Sequence, residues 1–144
     1  MSIDLQTLGR AVKQAQYRHQ RALEKHLATV GTTLAQWDAL RAIERTPGES
    51  AHALAEATFQ SDQAFGTLAN RLLAQKLISR APGAGRRVEH HLTALGKAKL
   101  AAGQKVAQAV LERSFHELNE RERKLLCGLL MRIGHDDTDG AAGA

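Results

Sequence analysis

The 144-residue sequence has a single cysteine, Cys127, which excludes an internal disulfide and any cysteine-rich zinc module and agrees with a reducing compartment. Aromatic residues are scarce. Tyr17, Trp37, Phe59, Phe65 and Phe115 amount to 3% of the chain, too few for a platform that stacks successive bases of a single strand. No apolar run approaches the roughly 20 residues that a membrane span needs. The opening Met1-Ser2-Ile3-Asp4 has neither a basic nor an apolar leader region, so a cytoplasmic protein without membrane contact is expected. A P-loop, a nucleophile elbow and paired carboxylates are also missing, and no enzyme is expected. Seven histidines are present, but His90 and His91 would point to opposite faces of a strand. His19 and His26 share a helix face without cysteine or carboxylate at ligand spacing, so neither a metal nor a cofactor is expected. Cys127, between apolar neighbours, is expected to be packed rather than reactive.

What remains is an ordinary globular composition, 43% apolar and 24% charged, in a length suited to one domain. The charge is unevenly placed. Residues 1–58 hold 7 basic and 6 acidic side chains, residues 59–99 hold 7 and 2, and residues 100–144 hold 6 and 7. The whole excess of +5 therefore lies in the middle segment, which suggests a polyanionic partner.

Residues 4–28 repeat apolar or small positions at steps of three and four, with Leu5, Leu8, Val12 and Ala15 continuing through His19, Ala22 and His26, and predict a long helix ended by Gly31. Thr33 and Gln36 form a capping box before a second helix with Leu34, Trp37, Leu40 and Ile43 inward, stopped by Pro47-Gly48. Ser50 can cap a short third helix carrying Leu54 and Ala55. Ser61 can cap a fourth, running to about Gln75, with Phe65, Leu68 and Leu72 inward. Only Thr58 to Gln60 separate these two, which suits a helix-turn-helix. Leu77 to Arg80 and Arg86 to Leu92 read as two strands around the flexible Ala81-Pro82-Gly83-Ala84-Gly85. Thr93 then caps a helix from Ala94 to about Phe115 with Leu95, Ala98, Val106, Ala109 and Val110 apolar. Asn119 and Glu122 open a last helix carrying Leu125, Leu126, Leu129, Leu130 and Ile133. The Asp-, Gly- and Ala-rich segment 135–144 is expected to be a disordered tail.

The fold class expected is mainly α with a small β-hairpin wing: a winged helix-turn-helix over 31–93, flanked by helical dimerisation regions at 1–30 and 94–134. In the fourth helix, Asp62, Gln63, Gly66, Thr67 and Asn70 face away from the apolar side. Gln63 and Asn70 can read adenine edges, Thr67 can meet a thymine methyl or a phosphate, Gly66 permits close approach, and Asp62 can accept from a cytosine amine. The helix start at Ser61 offers free N–H groups to a phosphate. Arg86 and Arg87 beside a glycine-rich tip suit a narrow minor groove. With Arg71, these residues make the candidate surface for double-stranded DNA.

The sequence resembles the MarR (multiple antibiotic resistance regulator) family of transcription factors. The resemblance rests on Leu34-Ala35-Gln36-Trp37-Asp38-Ala39-Leu40-Arg41, on Leu54-Ala55, on LANRLLAQKLI from Leu68 to Ile78 against the pattern L-x-x-R-L-x-x-x-G-L-[IV], and on Leu92-Thr93-x-x-Gly96 against LTxxG. It implies a homodimeric repressor of palindromic operators. It also implies a small aromatic or phenolic effector held where the first, second and fifth helices converge; Tyr17, His19, His26, Trp37 and Arg41 are the candidates there, and an aromatic carboxylate suits them. Lys76 stands where the pattern has glycine. The Asp of the family's Asp-x-Arg-Arg or Asp-Arg-Arg wing is absent: either Arg86 alone or Arg86-Arg87 matches the arginines, depending on the length of the turn. The contrasting reading of the effector candidates is that Trp37 packs in the core and the histidines are solvated, and that of the whole chain is a helical protein-interaction module whose winged segment contacts protein.

Overall fold

Helix starts follow the local hydrogen-bonding signals of the sequence. The computed structural model describes residues 1–134, and the segment 135–144 expected to form the tail lies outside the described residues. Helix α1 (Leu5–Leu27) is capped by the Asp4 carboxylate and followed by a 3-10 turn (Ala28–Val30), with Gly31 at φ +72° closing it. Helix α2 (Leu34–Arg45) opens on the Thr33–Gln36 capping box. Ser50 caps α3 (Ala51–Ala57) and Ser61 caps α4 (Asp62–Ala74). Strands β1 (Ile78–Pro82) and β2 (Val88–Leu92) pair antiparallel, Ile78 opposite Leu92 and Pro82 opposite Val88. Helices α5 (Ala94–Ser114) and α6 (Glu120–Leu130) follow, α6 opening on the Asn119–Glu122 capping box. This is the winged-helix order of elements; β1 starts one residue and ends two residues later than the sequence pattern suggests, and β2 starts two residues later.

The chain forms two compact units, Met1–Val110 and one beginning at Leu111. In the first, Leu27, Leu40, Ile43, Leu54, Phe65, Leu72 and Leu100 are essentially inaccessible and form the core. In α4 the fully buried row is Phe65, Ala69 and Leu72, while Leu68 is only partly covered. The expected stripe of α5 is corrected more strongly. Its buried row in this unit is Gly96, Leu100, Gly103, Ala107 and Val110, whereas Leu95, Ala98 and Ala109 are exposed. Side-chain hydrophobicity overlooks glycine, yet glycine permits this approach: a Cβ on Gly103 would stand 2.5 Å from Cδ1 of Trp37. In α1 the buried residues are Leu23 and Leu27, and Leu5, Leu8 and Val12 remain exposed. In the second unit α6 has no buried residue, so Cys127, expected to be packed, is exposed, as are Leu125, Leu129 and Leu130.

One corner fixes the hairpin onto the helices. Lys76 takes a left-handed conformation, φ +61°, which explains why the matched pattern has glycine there and costs a side chain about 1 kcal/mol. The Thr93 hydroxyl donates to the Lys76 carbonyl at 2.6 Å and accepts from Gly96 N–H at 3.0 Å, while Thr93 N–H donates to the Leu77 carbonyl at 3.1 Å. The Thr-x-x-Gly pair thus seats the first turn of α5 directly on the chain between α4 and β1.

Candidate nucleic-acid interface

Burying Phe65, Ala69 and Leu72 turns two polar rows of α4 outward. Asp62, Gly66 and Asn70 form one and Gln63, Thr67 and Arg71 the other, each spaced by four residues along the helix. All are exposed except Gly66, which is half-buried and has no heavy atom within 4 Å of the place a Cβ would take. The second row, with Ser61, Gln60, Ala64, Leu68 and Ala35, lines an open groove of about 500 Å³. Ser61 spends an oxygen lone pair on the Ala64 N–H at 3.1 Å, and the Thr67 hydroxyl donates to the Gln63 carbonyl at 3.2 Å. Gln63, Asn70 and Arg71 therefore keep their side-chain donors for an external partner, and Thr67 keeps its methyl group.

The wing separates its two arginines. Both lie in the loop after Pro82, whose ends are tied by Gly83 N–H to the Arg87 carbonyl at 2.8 Å. Arg87 reaches back to the α2–α3 turn, donating to the Glu49 carboxylate at 3.1 Å and to the Gly48 carbonyl at 3.3 Å. Among the described residues nothing pairs with the exposed Arg86. The steadying carboxylate that the loop lacks is thus supplied by Glu49, 38 residues earlier, a contact that spacing in the sequence could not reveal.

The same turn is stitched to β2. Gly48 N–H donates to the His90 carbonyl at 3.0 Å and His90 N–H donates to the Glu49 carbonyl at 3.2 Å, so 48–49 form a short third rung beside the hairpin. His90, 1% exposed, lies between the Glu49 carbonyl on Nδ1 (2.9 Å) and Arg80 Nε on Nε2 (3.2 Å). Arg80 can only donate, which fixes Nε2 as the acceptor and places the ring proton on Nδ1. His90 is a structural brace of the wing, and His91, on the opposite face, meets Glu89 at 3.1 Å.

The effector candidates are partly drawn together. Trp37 is 4% exposed, with the Arg41 guanidinium 4.4 Å above its ring and its Nε1 buried without a hydrogen-bond partner among the described residues. Arg41 also meets Asp38 at 3.5 Å. Burial pushes the Asp38 carboxyl above its ordinary range, and the charges of Arg41 and His19 partly offset this. His19, Asp38, Arg41 and Trp37 therefore form one neighbourhood, in which Asp38 had no sequence signal beyond its place in the helix. Tyr17 is exposed and accepts from Arg21 at 2.9 Å, and His26 Nδ1 lies 2.8 Å from the Ala22 carbonyl within its own helix.

A further contact escapes sequence reasoning. His52 of α3 places Nδ1 2.9 Å from the Asp62 carboxylate at the start of α4 and Nε2 3.1 Å from Glu56. Ten residues separate His52 from Asp62. Among the described residues no group of three or more His, Cys, Asp or Glu is arranged to hold a metal, and no helix is long and apolar enough to cross a membrane.

Comparison with known proteins gives these surfaces a setting. The MarR family matches residues 30–87, which span α2 to the wing loop. A probable transcriptional regulator from Pseudomonas aeruginosa is 27% identical, with a TM-score of 0.77 over 88% of this chain and 96% of that one. BpsR of Bordetella bronchiseptica, whose DNA binding is regulated by 6-hydroxynicotinic acid, is 25% identical, with a TM-score of 0.79 over 87% and 96%. A variant of MarR from E. coli in complex with operator DNA is 22% identical, with a TM-score of 0.81 over 88% and 93%. A search of the curated proteins gave no match.

Proposed function

We propose that this chain, whose residues 30–87 match the MarR family, is a winged-helix member of that family and a homodimeric, DNA-binding transcriptional regulator, a repressor of palindromic operators. The observation that carries the reading is the outer face of α4, where Gln63, Gly66, Thr67, Asn70 and Arg71 combine base-reading groups, a phosphate-binding cation and room for close approach. The unpaired Arg86 on the wing and the +5 excess confined to residues 59–99 support it. Leu5, Leu8 and Val12 of the first unit and Leu125, Leu129 and Leu130 of the second are each more than a third exposed, apolar surface that suits a second copy of the chain. A two-fold pair sets two recognition helices about one turn of DNA apart, ~34 Å.

Release by a small aromatic or phenolic compound fits the neighbourhood of His19, Asp38, Arg41 and Trp37, where an apolar ring and an unpartnered indole N–H lie beside a cation. Such a compound acts only through different affinities for the DNA-competent and DNA-incompetent states. The test is selection from a random pool of duplexes. An inverted repeat with half-sites about one turn apart is expected, and Gln63→Ala or Asn70→Ala should accept a broader set of sequences, losing about 1–3 kcal/mol of discrimination at one position per half-site. A pool that returns no preferred sequence overturns the proposal in favour of a protein-interaction module.

A further inference from the structure

The contacts of His52 bear on the recognition helix. A neutral imidazole has one N–H and one lone pair, yet both ring nitrogens of His52 face carboxylate oxygens, Asp62 at 2.9 Å and Glu56 at 3.1 Å. Only the imidazolium satisfies both. We propose that His52 is a positioning residue that works in its protonated form: it bridges Glu56 and Asp62, cancels one of their two charges at the amino end of α4, and so lets this end approach a phosphate backbone. The inference rests on the DNA-binding reading above.

The electrostatic setting agrees. The hydrogen bond and charge of Asp62, then the charge of Glu56, hold the His52 imidazolium above the ordinary histidine range. No charged group from α2 or from the hairpin, which also pack on α3, contributes to its environment. All three side chains are about 70% exposed, so in the free protein solvent screens the bridge strongly. DNA changes that balance. With His52 neutral, Asp62 and Glu56 present two uncompensated negative charges at the mouth of the helix. With His52 charged the cluster carries one, and Asp62 is held in a fixed direction on the outer row of α4. The raised His52 pKa means that the bridge is complete below the ordinary histidine range and is lost as pH rises through the folded value. Since the duplex favours the charged form further, binding takes up a proton, and affinity falls as pH rises.

The experiment uses the full chain and a duplex selected from a random pool by the parent protein at about pH 6, with binding measured from about pH 6 to about pH 8 at fixed salt. For the parent, affinity should fall by up to about tenfold per pH unit above the His52 transition. His52→Gln should bind weakly throughout and lose that part of the slope, whereas His52→Lys, charged at every pH tested, should still bind tightly at about pH 8. In the free protein, NMR titration should show the His52 transition moving toward the ordinary histidine value in Asp62→Asn. Equal pH slopes for the parent and His52→Gln, or a His52 transition unmoved by Asp62→Asn, overturn this inference and leave the DNA reading intact. Failure of the parent to select any duplex removes both.

Discussion

Alanine at Gly96 is expected to lower stability by about 3 kcal/mol or more, seen as a fall in the urea midpoint of a chain whose other properties are unchanged. The added Cβ would stand 1.9 Å from the Leu77 carbonyl oxygen. That oxygen is backbone, and it already accepts the Thr93 N–H at 3.1 Å, so it cannot turn aside as a flexible side chain could. Relief requires α5 to lift away from the corner, which also breaks the Thr93 hydrogen bonds to the Lys76 and Leu77 carbonyls. Gly66 provides the control. Nothing lies within 4 Å of its missing Cβ, and alanine there should raise stability by about 0.5–1 kcal/mol through helix propensity alone. A Gly96→Ala chain that unfolds at the parent's midpoint would show that α5 does not seat on Leu77.

Removing both wing arginines is expected to weaken binding to a long duplex by a few kcal/mol at most and to flatten its salt dependence by about one or two charges per subunit. The structure divides the effect between them. Arg86 has no partner among the described residues, so Arg86→Ala should take away DNA affinity and salt dependence while leaving stability within about 0.5 kcal/mol. Arg87 is committed to Glu49 and the Gly48 carbonyl. Arg87→Ala should therefore loosen the wing, and Glu49→Ala should reproduce the affinity loss attributable to loosening without removing a cation. The pairing is surface-exposed, worth no more than about 1 kcal/mol of stability. If the double variant binds like the parent at every salt concentration, the wing plays no part in the interface.

Most of the fold is legible because its signals are local. The capping boxes Thr33–Gln36 and Asn119–Glu122 and the caps Ser50 and Ser61 join groups three residues apart, and each forms as the sequence predicts. The order of helices and hairpin follows from period and punctuation in the same way. The outer face of α4 is legible too, since the apolar side of one helix determines its opposite. What escaped depends on groups far apart in the chain. Glu49 steadies Arg87 across 38 residues, and the Glu49 carbonyl holds His90 across 41. His52 meets Asp62 only because the short turn between α3 and α4, Thr58 to Ser61, folds one helix start against the other. The buried row of α5 escaped for another reason: Gly96 and Gly103 are buried because they lack side chains, a role that a hydrophobicity pattern does not register. Cys127, Leu125, Leu129 and Leu130 of α6 are apolar at helical spacing yet exposed, since spacing shows which face is apolar but not what covers it.

The central claim is that α4 and the wing together bind double-stranded DNA and read its sequence. The most direct measurement compares the affinity of the parent chain for its selected inverted repeat with that for the same duplex scrambled, across a range of salt concentrations. The account predicts that log K falls linearly with log salt for both, with a slope of about −0.9 per phosphate neutralised, and that the repeat stays tighter by at least about 10³ at physiological salt. Affinity indifferent to salt, or equal for the two duplexes, would contradict it.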